Sequence, residues 1–152
     1  MSTPKPLEGY QSYKGIPPLA GLCSIEDALK PGLGVEECVR RLKRFHYCFV
    51  RLHGILTARI TSEPIYELKT AFAHHAYLCA EHATAIRQRV SEMREPPLGL
   101  DEVPHPALEV YFDEIRAAPS ALMANGVYST VCELMETIGN YQNDTHQLTD
   151  AN

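Results

Sequence analysis

Several signatures are missing from this 152-residue sequence, and each absence removes a class of function. No Cys-x-x-Cys pair occurs among the five cysteines, Cys23, Cys38, Cys48, Cys79 and Cys132. Their odd number and scattered spacing argue against a zinc site or a disulfide framework and fit a reducing compartment. No uninterrupted apolar run is long enough to span a bilayer, so no membrane partner is expected. Positive charge is not in excess either. A formal net charge of -5 offers no long-range attraction to phosphate backbones, and no nucleic-acid partner is expected. The one basic cluster, Arg40, Arg41, Lys43, Arg44 and Arg51, reads as the solvated face of a helix. There is no P-loop, no Gly-x-Gly-x-x-Gly, no Gly-x-Ser-x-Gly and no His-Glu-x-x-His. There is no strand pattern of useful length, no hairpin dipeptide between alternating runs and no internal repeat.

Helical periodicity is what the sequence does contain. It is preceded over residues 1–34 by an arm in which Pro4, Pro6, Pro17, Pro18 and Pro31 interrupt every potential long helix. The arm is polar at its start, unlike a signal peptide, and a cytoplasmic location is the expectation. Only Ser24 to Lys30 has the pattern of a short helical turn, and Leu19, Leu22, Ile25 and Leu29 are expected to pack against the rest.

Residues 35–152 predict one helical bundle, so the fold class is all-α. In the first helix, Val35 to about Thr61, the apolar positions Cys38, Leu42, Phe45, Phe49, Leu52 and Leu56 keep the three-and-four spacing of one face. His46 and His53 stand seven apart beside that stripe. The second helix, Ser62 to Glu95, is expected to be capped by Ser62, with Pro64 in its first turn. A short third helix runs from Pro106 to about Ala117. A fourth opens at Pro119 and Ser120 with Leu122, Met123, Val127, Val131, Leu134, Ile138 and Tyr141 inward.

The second helix carries the chemistry. Its apolar line of Ile65, Leu68, Phe72, Cys79, Ile86, Val90 and Met93 is broken at positions 75 and 82, both histidine. Residues seven apart lie nearly above one another, so Glu67, His74 and Glu81 form one line beside Leu68, His75 and His82. Carboxylates and imidazoles on one strip suit a borderline metal ion held between helices. His53 or His46, and Glu133 or Glu136, are the candidates to approach from facing helices. The bland reading is that the histidines are hydrogen-bonded core residues and the acids a wet face.

The stretch EPIYELKTAFAHHAYLCAEHATAIRQRV also resembles a group of ferritin-like helical proteins with a helix reading roughly E-x-K, a histidine, then A-E-H-A-x-A-x-R-x-R. The matching residues are Glu67, Lys69, His75, Glu81, His82, Arg87 and Arg89. The resemblance implies a ferritin-like antiparallel helical bundle with a carboxylate-bridged di-metal centre for oxygen or iron chemistry. The Glu-x-x-His of that family occurs here only as Glu102 and His105, bracketed by Pro104 and Pro106.

The expectation is a metal-binding bundle with iron or manganese on His75, Glu81 and His82, supplemented by Glu67 and His53, serving an oxidoreductase. A different class competes with it: a non-enzymatic module that forms homo-oligomers or docks a partner, with its histidines buried for structure. A pH-responsive histidine cluster is the third reading.

Overall fold

A computed structural model describes residues 32–93 and 99–145. The arm's proposed turn and its four apolar residues lie outside that range, as do Glu95, Pro96 and Pro97. The described chain is all-helical: α1 (Val35–Ile60), α2 (Tyr66–Glu92), α3 (Pro106–Ala117) and α4 (Ser120–Asp144).

α1 is the element the others pack on. Cys38, Val39, Leu42, Phe45, Phe49, Leu52, Ile55 and Leu56 are all buried, and Leu52 and Leu56 have no exposed surface at all. Acidic Glu36 and Glu37 in its first turn suit the positive end of the helix. Its basic residues face acids: Arg41 pairs with Glu37 and Asp144, and Arg51 with Asp113 of α3. At its far end Arg59 donates to the carbonyls of Arg116 and Ala118, which ties α1 to the α3–α4 junction. At its near end the Leu33 amide donates to the Asp144 carbonyl at 3.3 Å, so the close of α4 meets the start of α1. Phe45 and Tyr141 meet edge to face at the same end, and Tyr47 and Phe112 do so toward α3.

α2 begins later than its sequence suggests. Ile65 is the N-cap, and Ser62 caps nothing: its hydroxyl donates back to the Arg59 carbonyl. Pro64 accordingly precedes the helix. The buried carboxylate of Glu63 takes the Ile65 amide instead, at 3.1 Å. The inward line of α2 is Phe72, Ala76, Cys79, Ala83 and Val90. His75 and His82 therefore do not occupy the core line. Alanine does, one residue further along, because small methyl groups let α2 lie close against α1. Cys79 is core as its pattern implies, and burial pushes its thiol up to about 11.

α3 opens at His105, whose ring accepts the Ala107 amide at 3.1 Å, so the histidine between Pro104 and Pro106 serves as a helix cap. It buries Phe112 and Ile115, and Tyr111 stays outside with its hydroxyl hydrogen-bonded to Thr130 at 2.7 Å. In α4, Met123, Val127, Leu134 and Tyr141 are inside as expected, whereas Leu122 is 64% exposed. Asn125-Gly126 does not break the helix. Gly126 sits where a side chain would press on Ile115, at 3.0 Å from Cγ1, so the glycine is a contact surface for α3. Among the described residues, no helix is long and apolar enough to cross a membrane.

Candidate functional site

Each of the predicted metal ligands has a definite place, and the places differ. His75 is half-buried and reaches from α2 to α4, where its Nδ1 is hydrogen-bonded to the Tyr128 hydroxyl at 2.8 Å, with the two rings edge to face. His82 is exposed and lies against Phe49, with ring centroids 5.0 Å apart. Glu81 faces outward and accepts from the Tyr77 hydroxyl, which raises the pKa of that phenol. Glu67 is exposed in the first turn of α2, where its charge complements the helix end. His53 is on the other flank of α2, with Nδ1 donating to the Ala76 carbonyl at 2.9 Å. His74 is exposed, with its ring 5.6 Å from that of its neighbour His75. Glu133 and Glu136 stand on the exposed side of α4.

A di-metal centre needs several of these groups converging on one point. Among the described residues, no group of three or more His, Cys, Asp or Glu side chains could hold a metal ion. The donor set therefore does not fit the iron or manganese centre that the ferritin-like resemblance implies. The physical reason is the phase of α2. With Ala76 and Ala83 inward, the 75/82 line turns toward α4 while His53 meets the helix from α1, and the Glu67/Glu81 line points to solvent.

What these positions do form is a cleft. Leu42, Phe45 and Phe49 of α1, Ile86 of α2, and Ile138 and Tyr141 of α4 line a hollow of about 110 Å³, with His82 and Arg89 on its α2 wall and Gln142 on its α4 wall. Two exposed apolar side chains stand at helical spacing from residues that line it. Leu78 precedes His82 by one helical turn and is 37% exposed; Met135 precedes Ile138 by nearly a turn and is 47% exposed.

One residue that the sequence placed only beside the stripe turns out to be prominent. His46 is 2% exposed, with Nδ1 at 3.2 Å from the Leu100 carbonyl. Desolvation holds its imidazole below the ordinary histidine value, against the opposing pull of that hydrogen bond. Its seven-residue spacing from His53 is visible in the sequence, but the Leu100 loop that covers it is not.

Compared with protein-family models, with curated proteins and with solved structures, the chain matches none.

Proposed function

We propose that this protein is a non-enzymatic self-association module: an antiparallel helical bundle whose histidines serve packing, and whose α2–α4 cleft receives a second copy of the chain. The observation that carries this reading is the cleft itself, lined by Leu42, Phe45, Phe49, Ile86 and Ile138, with exposed Leu78 and Met135 one helical turn or less from its residues His82 and Ile138. Exposed apolar surface grouped around a concavity marks an interaction site more often than the same residues scattered. A second copy offers the same two side chains, so a two-fold contact is self-complementary. The histidines support the reading by what they already bind. His75 holds Tyr128, and His53 and His46 hold backbone carbonyls.

The test is mass in solution against concentration, by sedimentation or light scattering. The expected result is a shift from monomer to dimer with rising concentration, abolished by Leu78→Glu with Met135→Glu, and indifferent to chelator. A monomeric mass at every concentration, or dimerisation untouched by both substitutions, overturns it. Stoichiometric iron or manganese in protein purified without added metal, lost in His82→Ala, would restore the oxidoreductase reading in its place.

A further inference from the structure

A second hollow, of about 230 Å³, opens between α1 and α2 on a different flank from the cleft, with His46, Val50 and His53 on its α1 side and Ala80, Ala83, Thr84 and Arg87 on its α2 side. The room exists because α2 contributes methyl groups at 80 and 83 where a longer side chain would fill the space. Small apolar walls with a few convergent polar groups are the usual makings of a ligand site.

The polar groups are of definite character. The Nδ1 of His46 faces the Leu100 carbonyl at 3.2 Å, and that of His53 faces the Ala76 carbonyl at 2.9 Å. A carbonyl only accepts, so each Nδ1 carries a proton, and the Nε2 of the neutral ring is left as an acceptor. Neither Nε2 has a partner among the described residues, although His46 is 2% exposed. The Thr84 hydroxyl donates back to the Ala80 carbonyl at 2.9 Å, which leaves its oxygen free to accept. Arg87 commits one amine to Asp101 at 3.0 Å, in a pair exposed on both sides, and its guanidinium has further N–H groups to offer.

The hollow thus presents one cation and three acceptors. We infer that it binds a small polyhydroxylated carboxylate, with the carboxylate on Arg87 and hydroxyls donating to Nε2 of His46 and of His53. Other ligand classes fit less well. An ammonium would face the Arg87 charge, and the carboxylate of Asp101 is already paired. A plain fatty acid has no hydroxyl to donate to either imidazole nitrogen. A metal ion would find too few ligands, since among the described residues no group of three or more His, Cys, Asp or Glu could hold one. The two histidine positions are seven residues apart, a rise of about 10 Å along α1. An extended polyhydroxylated acid carries hydroxyl donors along such a length, with its carboxylate left for Arg87.

The experiment titrates the full chain with gluconate, sorbitol and hexanoate, followed by calorimetry and ligand-observed NMR. Gluconate is expected to saturate the protein. Sorbitol, lacking the carboxylate, and hexanoate, lacking the hydroxyls, are expected to bind about tenfold or more weakly. Ala80→Leu, which fills the hollow, is expected to abolish gluconate binding at an unchanged melting temperature. Arg87→Gln, an exposed change, is expected to weaken it about tenfold and decides the matter if Ala80→Leu fails to fold. Absence of gluconate saturation, equal affinity for sorbitol, or wild-type binding by Arg87→Gln overturns the inference. The hollow shares no residue with the α2–α4 cleft, so the outcome is independent of self-association.

Discussion

His75 of α2 and Tyr128 of α4 share a hydrogen bond of 2.8 Å between Nδ1 and the phenol oxygen. The same two helices supply His82, Ile86 and Arg89, and Ile138, Tyr141 and Gln142, to the walls of the cleft. Tyr128 is half-buried, and desolvation raises the pKa of its hydroxyl. Removing the hydroxyl strands a ring nitrogen that has no other partner among the described residues.

Tyr128→Phe is therefore expected to cost about 1 kcal/mol, seen as a melting temperature lower by about 3 °C in a chain of this size. His75→Ala should cost measurably less in the Tyr128→Phe background than in the wild type, since the bond is already gone. Thermal unfolding followed by circular dichroism measures both. Additive losses would show that His75 is held by something other than Tyr128.

Much of the fold was legible because helices write their contacts at a fixed period. The stripe from Cys38 to Leu56 and the breaks at Pro64, Pro106 and Pro119 gave α1 and the start of each later helix to within a few residues. The phase of α2 was harder to read. Histidine and alanine alternate with apolar residues there, so lines through 75/82 and 76/83 both look plausible, and only close packing against α1 selects the alanines. Ser62 misled for a related reason. A cap is defined by where the chain turns, and here the turn comes three residues later, with Glu63 taking the amide. The burial of His46 under the Leu100 carbonyl is a contact between residues 54 apart that no local pattern encodes.

Two glycines inside helices should respond oppositely to the same change. Glycine in a helix interior costs about 0.5–1 kcal/mol relative to alanine through backbone entropy. At Gly54, exposed on α1, a Cβ meets nothing within 4 Å, so Gly54→Ala is expected to stabilise by about that amount. At Gly126 a Cβ would lie 3.0, 3.3 and 3.4 Å from three side-chain atoms of Ile115, which is 92% buried and has little space to withdraw into. Gly126→Ala is expected to lose in strain at least what it gains in propensity. Denaturant unfolding of the two variants reads the difference directly, and a stabilised Gly126→Ala would mean that α3 shifts freely against α4.

His46 should make the protein acid-sensitive. Burial disfavours its charged form, so the folded pKa lies below 6.5, the ordinary value that the unfolded chain recovers. Above that value both states are neutral and the residue contributes nothing to the pH dependence. As pH falls below it the unfolded state takes up the proton first, and stability drops until the folded-state pKa is also passed. The nearby Arg87 charge adds to the depression, whereas the Leu100 carbonyl and Asp101 oppose it. His46→Asn keeps a donor near the Nδ1 position and removes the titration. Melting temperatures measured from pH 8 down to pH 5 should therefore fall more steeply in the wild type than in His46→Asn. Parallel curves would show that the imidazole charges in place without cost, which a ring 2% exposed beneath Leu100 should not do.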